Sequence, residues 1–229
     1  VTVDVVVLDD VAFDVEEGAL MGLVRLRPQG VRADEFRAVL DEARKVARPK
    51  AACGIAEVGH RGRGRVDIGG VSFTSRLLEE NLRDANAAFP YIATCGAELE
   101  EWAAGQQGAL RQFWAENIML VALGCAVGYL EGYLKGILGV EGLSSMNPGA
   151  LDDWPIEQQA TLFGLLGDAA RSVGCRLAPG MVMRPLKSVS GIYFVSHGGF
   201  TNCSLCPRRS CASRRAAFDA ALYARYRGG

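Results

Sequence analysis

The chain has 229 residues, 49% hydrophobic and 22% charged, with 25 Lys and Arg against 26 Asp and Glu for a formal net charge of −1. That length buries a sizeable core, and the apolar content with a small net charge excludes intrinsic disorder. Near-neutral charge argues against a broad nucleic-acid surface, which needs a basic excess to displace counterions from phosphates, and composition excludes collagen-like and disulfide-scaffold classes.

Val3 to Leu8 reads as a short buried strand, and the start carries Asp4 and no basic segment, so it does not read as a secretory signal. Asp34 precedes Phe36, Val39, Leu40, Ala43, Val46 and Ala47 at helical spacing, a run that Pro49 ends. Ala51 to Val58 is predicted as a strand, His60-Arg61-Gly62-Arg63-Gly64-Arg65 as a basic turn, and Val66 to Phe73 as a second strand bent at Gly69-Gly70. Ser75, with Glu79 and Glu80 in the early turns, announces a capped helix over Leu77, Leu78, Leu82 and Ala85. Pro90 to Cys95 is a third strand, and Glu98 to Leu110 is helical.

Ile118 to Leu130 is uncharged, bounded by Glu116 and Glu131, and shorter than the ~20 apolar residues a spanning helix needs. With its continuation to Leu138 it is predicted as the buried central helix of a protein that does not enter the membrane. A loop follows at Ser144-Ser145-Met146-Asn147-Pro148-Gly149. Asp152, Asp153 and Pro155 open an amphipathic helix through Ile156, Ala160, Phe163, Leu166, Ala170 and Val173, which Gly174 stops. Cys175 to Arg184 and Ser188 to Val195 read as two more strands, with a final helix from about Ser213. Paired strands between unlike helices, without regular βα alternation, predict an α+β fold in one domain over 1–229.

The sharpest chemical feature is Asn202-Cys203-Ser204-Leu205-Cys206-Pro207-Arg208-Arg209-Ser210-Cys211. Cysteines two residues apart can face one ion across a tight turn, and a third five residues on can close another edge. Thiolates suit iron–sulfur clusters, 4Fe-4S above all, or zinc, and Arg208, Arg209 and Arg214 would offset a negative cluster. The fourth ligand is open: Cys95 is the first candidate, with His197, Cys53, Cys125 or Cys175 as others, and three thiols holding no metal is the bland alternative. Seven cysteines, an odd number, without a secretory signal point to reduced thiols in the cytoplasm. Glu98, Glu100 and Glu101 read as a solvated helix face, whereas Glu131 interrupts an apolar helix and marks either a core rim or a site. No nucleophile elbow or phosphate-binding loop motif is present.

Several segments together resemble the activation (reactivation) domain of vitamin B12-dependent methionine synthase in its free-standing form. Met183-Arg184-Pro185-Leu186-Lys187-Ser188-Val189-Ser190-Gly191-Ile192-Tyr193-Phe194 is similar to that domain's Met-x-Pro-x-x-Ser-Val-Ser-Gly-x-Tyr-Phe stretch. Ala93 to Glu100 is similar to its Thr-x-Gly-x-Glu-Leu turn, and the apolar helix after Phe113 and the three-cysteine tail with Arg214 also match. Asn147-Pro148-Gly149 followed by Asp153-Trp154-Pro155 sits where the family carries an Arg-x-x-Pro-Gly-Tyr loop. The resemblance implies a C-shaped α+β domain with a twisted antiparallel sheet. It also implies docking on a corrinoid protein or cobalamin-dependent methyltransferase, where S-adenosylmethionine donates a methyl group as cob(II)alamin is reduced. By position it implies cofactor contacts at Ser188, Val189, Ser190, Gly191, Pro148 and Gly149, to which Glu131 is added from its place in the apolar helix; the expected metal ligands, Cys203, Cys206, Cys211 and Cys95, rest on the cysteine spacing.

One departure stands out: Ser145 and Ala150 occupy the loop's arginine and tyrosine positions. A hydroxyl does not replace a bidentate guanidinium, so S-adenosylmethionine binding is expected to be weak. Three function classes follow. The first is a reactivation partner for a corrinoid system that passes an electron through an iron–sulfur cluster. The second is a non-catalytic corrinoid-protein-binding module with a structural metal or none, and the third is S-adenosylmethionine-dependent reactivation of cobalamin.

Overall fold

The computed structural model describes residues 3–196, 200–208, 210, 211, 214 and 216–227. In chain order the elements are β1 (Asp4–Leu8), α1 (Glu17–Leu23), α2 (Val31–Val46), β2 (Lys50–Gly62), β3 (Arg65–Ile68), β4 (Val71–Thr74), α3 (Arg76–Asn81), β5 (Ala87–Thr94), α4 (Ala97–Ala104) and α5 (Ala109–Leu138). They continue with β6 (Leu143–Met146), a 3-10 turn (Ile156–Gln158), α6 (Gln159–Leu166), α7 (Asp168–Ser172), β7 (Arg176–Ala178), β8 (Val182–Arg184), β9 (Ser188–Val195), α8 (Asn202–Leu205) and α9 (Ala220–Arg227).

Seven strands form one curled antiparallel sheet, six in the order β4-β3-β2-β5-β9-β6 and β1 paired with β2 off that path, in an α+β fold. The 13-residue β2 is its spine: β5 runs along one edge, while β1 and then β3 share the other. A register shift between Val58 and Arg61 bends β2 where the partner changes, as a bulge does. The two-residue period of strands decides what each face meets. Ala51, Cys53, Phe89, Tyr91, Ala93 and Tyr193 pack with Ala126, Val127, Leu130 and Leu134 of α5. Ala52 and Ile92 turn to the other face, against Leu166 of α6 and Ala169, Ala170 and Val173 at α7. Because both faces are covered, β5 is a nearly continuous buried run rather than an alternating one.

The first half of α5 leaves the sheet and joins a helical cluster with α1, α2 and α4, where Phe36 meets Trp114 edge to face at 5.4 Å. Only the inner face of α5 is buried. Phe113, Leu120, Tyr129 and Ile137 stand exposed on it, so the expectation of a fully buried central helix holds for one side alone. At 30 residues α5 is also long and apolar enough, by length and composition, to cross a membrane, unlike its uncharged middle read by itself.

Other elements depart from the sequence expectations for physical reasons. Gly69-Gly70 is a reversal, not a bend: Ile68 pairs with Val71, giving the separate hairpin strands β3 and β4. Leu143–Met146, expected as loop, is an edge strand held by β9 despite its serines. The helix expected from Asp152 to Val173 breaks at Gly167 into α6 and α7, and the last helix starts at Ala220.

Candidate functional site

Strand alternation divides the Ser188–Gly191 segment between two environments. Val189 and Tyr193 face the α5 side of the sheet together with Tyr91, whereas Ile192 and Phe194 face the opposite core. Ser190 shares the parity of Ile192 and is buried. The Ser188 hydroxyl donates to the Pro185 carbonyl at 2.7 Å and is hydrogen-bonded with the Thr94 hydroxyl at 2.8 Å. Neither serine lines the cavity described below: Ser188 bonds to local structure, and Ser190, its hydroxyl buried without a hydrogen-bond partner among the described residues, contributes its carbonyl to the network below.

A cavity of about 490 Å³ lies on the α5 side. Tyr91, Val189 and Tyr193 form its floor, Val127 and Glu131 of α5 one wall, and Leu143, Ser145 and Asn147 the strand edge. Thr201, Asn202 and Cys203 close it from the C-terminal segment. Its volume falls in the ordinary range for small-molecule sites. The Tyr91 and Tyr193 rings lie 4.4 Å apart and are tilted by 31°, giving an aromatic surface. Glu131, paired with Lys135 at 3.1 Å, is the one charged side chain lining the cavity among the described residues.

Asn147 organises the polar side. Its Nδ2 donates to Tyr91 Oη at 2.8 Å and to the Ser190 carbonyl at 2.9 Å, and its Oδ1 accepts from Asn202 Nδ2 at 2.9 Å. Gly191 permits this approach, since a Cβ there would lie 2.4 Å from Asn147 Nδ2 and 3.0 Å from a Tyr91 ring carbon. Thr201 Oγ1 and Asn202 Oδ1 are buried and find no hydrogen-bond partner among the described residues. Orphaned buried oxygens beside a cavity are costly, and a ligand carrying donor groups would satisfy them. Pro148 and Gly149, expected to touch a cofactor, do not line the cavity; the Gly149 N–H donates to the Trp154 carbonyl at 2.8 Å and turns the loop instead.

The C-terminal segment is tied down at several points. Ser145 bridges to Thr201, and Phe200 and Leu205 join the core. The Arg214 guanidinium donates to the carbonyls of Cys203, Cys206 and Ala216, each at 3.1 Å, and also to that of Arg208. This arrangement does not fit a metal cluster. Cys203 lines the cavity and Cys211 is exposed, and no group of three or more His, Cys, Asp or Glu among the described residues is arranged to hold an ion.

Cys95 is not brought to these cysteines. It is fully buried in the helical cluster, with burial pushing its thiol up to about 12, helped by the nearby Glu100 and Cys175. A thiol so disposed resists the deprotonation that ligation requires. His197 and Arg209 lie outside the described residues. Two carboxylates expected as solvated are also spoken for. Glu100 accepts from the Leu186 N–H at 2.6 Å, and Glu98 pairs with Lys50 at 2.8 Å. Burial is the largest single influence and opposes ionisation of Glu98, but the Lys50 hydrogen bond, a backbone hydrogen bond and the charges of Lys50 and Arg48 together outweigh it and hold the carboxyl below its usual range.

Sequence reasoning marked Glu131, Val189 and Ser145 but missed Tyr91, Thr201 and Asn202 as lining residues. The one signal available was a tyrosine in an otherwise apolar strand; that it lies opposite Gly191 is a matter of pairing register.

No protein-family model matches the chain, and no curated protein matches it by sequence. Among solved structures, the crystal structure of the MetH reactivation domain bound to AdoHcy is similar over 99% of this chain and 86% of that one, with a TM-score of 0.55 and 16% identity. At that identity the likeness is one of fold.

Proposed function

We propose that this chain is an accessory protein of a cobalamin-dependent methyl-transfer system, acting in reactivation of a corrinoid protein, with the Tyr91–Tyr193 cavity as the seat of an S-adenosyl ligand. The observation that carries the reading is the cavity itself. An aromatic floor, a lone carboxylate and two orphaned oxygens meet there, in a fold shared with a reactivation domain whose structure holds AdoHcy. The adenine ring would stack on the tyrosines, and its amine or the ribose hydroxyls would donate to Thr201 Oγ1 and Asn202 Oδ1. Glu131 suits the ligand's ammonium. The ligand supplies the methyl chemistry; the chain's residues bind and orient it for a corrinoid carried by the partner.

The lining also supports weak affinity. Ser145 is present where the resemblance places an arginine, so the ligand's carboxylate meets neutral donors only. One lost charged hydrogen bond is worth about 1.5–3 kcal/mol, roughly ten- to a hundredfold in affinity. An iron–sulfur cluster on Cys203, Cys206 and Cys211 does not fit the donor arrangement, and no electron-transfer step is assigned to it.

Calorimetric titration with S-adenosylhomocysteine tests the reading. Saturable one-site binding is expected, in the high-micromolar to millimolar range, weakened about tenfold by Asn202→Ala and restored toward the parent by Asn202→Asp. Absence of saturable binding, or binding unchanged by Asn202→Ala, removes the cavity from the reading and leaves a module that recognises its partner without an S-adenosyl ligand.

A further inference from the structure

The basic turn at 60–65 finds no role in the cavity described above, and the fold gives it a site of its own. β2 and β3 meet there, and the turn packs over α3 around a second cavity of about 480 Å³ lined by Arg61, Arg63, Gly64, Arg76, Arg83 and the carboxylates Glu79 and Glu80. Four guanidinium groups converge on one concavity in a chain whose net charge is −1.

Two of the lining groups are structural. Arg61 donates to the carbonyls of Gly59 and Leu82, both at 2.9 Å, and to that of Ala85, which pins the hairpin to the segment following α3. Glu79 Oε2 accepts the Gly64 N–H at 2.6 Å. Gly64 has φ +74°, and a Cβ there would lie 3.0 Å from Arg76 Cγ, so its bare backbone lets the arginine stem lie against the turn. These contacts fix the walls and leave Arg63, Arg76 and Arg83 exposed around the opening.

None of those three forms an ion pair among the described residues, although Arg37, Arg44, Arg111, Arg171 and Arg184 all do. Unpaired like charges brought together on a fixed frame repel one another, and a bound anion relieves that repulsion. Guanidinium forks match the oxygen spacing of phosphate. The concavity has the size of a small-molecule site, and Glu80 on its lip can accept hydrogen bonds from hydroxyl groups.

We infer that the cavity between the 61–65 turn and α3 is a second binding site, for a small phosphorylated ligand bearing hydroxyl groups, of the nucleotide or sugar-phosphate class. Arg63, Arg76 and Arg83 grip the phosphate, and Arg61 and Glu79 hold the frame.

The test is calorimetric titration of the full chain with ADP and with inorganic pyrophosphate, at two salt concentrations. One-site binding of either probe is expected, weakened about tenfold or more by Arg63→Gln and again by Arg83→Gln. Circular dichroism should be unchanged in both variants, whose side chains are exposed. Remote controls, Arg27→Gln and Arg32→Gln made singly, each remove the same one charge and should leave affinity unaltered. Failure of both probes to bind saturably overturns the inference. So does equal weakening by either remote control, which would reduce the effect to bulk charge.

Discussion

Cys53 shows how burial alone sets a residue's chemistry, and Cys95 how burial does so with nearby Glu100 and Cys175 adding to it. Both sit in fully packed surroundings, and desolvation of the thiolate pushes each thiol from an ordinary 9.0 up to about 12. Below about pH 9 folded and unfolded chains both hold these protons, so the thiols do not tax folding. Between about pH 9 and 12 the unfolded chain releases them while the folded chain cannot, and stability falls as pH rises. The expected slope is about 1.4 kcal/mol per pH unit for each thiol. Urea denaturation from pH 8 to 10.5 should show it, and Cys53→Ala, though less stable at neutral pH, should show a shallower alkaline decline than the parent. An equal decline in parent and variant would mean that Cys53 ionises as readily folded as unfolded.

Among the elements, α3 is short and depends on what closes its first turn. Ser75 Oγ accepts the Leu78 N–H at 2.9 Å, the cap its sequence announces. The distant Asp153 then adds a second layer. Its carboxylate accepts the Ser75 hydroxyl, the Leu77 N–H at 2.9 Å and the Arg76 N–H at 3.2 Å. Loss of a serine cap typically costs about 1 kcal/mol, and a carboxylate accepting several N–H groups contributes about 1.5–3 kcal/mol. Ser75→Ala and Asp153→Ala are each expected to lower the unfolding free energy by those amounts. Because both act on one helix end, the double variant should lose less than the sum. Strict additivity in a double-mutant cycle would show that the two do not act together.

At the scale of the molecule, the question is whether the C-terminal segment is an appendage or part of one folding unit. Leu205 is fully buried, in a core cluster shared with Phe73, Trp154, Ile192 and Phe194. Its truncation should therefore act on the whole: Leu205→Ala is expected to cost about 2–5 kcal/mol, within a single cooperative transition. Separate transitions for the segment and the sheet would instead make 200–227 a docked tail. The same packing closes the Tyr91–Tyr193 cavity, so whatever loosens Leu205 also opens the wall formed by Thr201, Asn202 and Cys203.

Local signals were enough for the α+β class, for α2, the capped start of α3 and the apolar run of α5, because spacing and capping act between residues near in sequence. They also marked Glu131, since a carboxylate within an apolar run is conspicuous anywhere. The site itself needed pairing. Asn147 meets Tyr91 only because β6 and β5 both flank β9, and the serines of the 188–191 segment turn away because the strand's two-residue period assigns Val189 and Tyr193 to the cavity. Asp153, read as opening its own helix, caps another one 76 residues away. Cysteine spacing suggested convergence; among the described residues no metal-holding group forms there, and the carbonyls of Cys203 and Cys206 accept from Arg214. Sequence determines which residues prefer strand, helix or core through short-range sterics and hydrophobicity. Which side chains share a cavity depends on register and crossing, and those are decided only when distant strands pair and both faces of the sheet are buried.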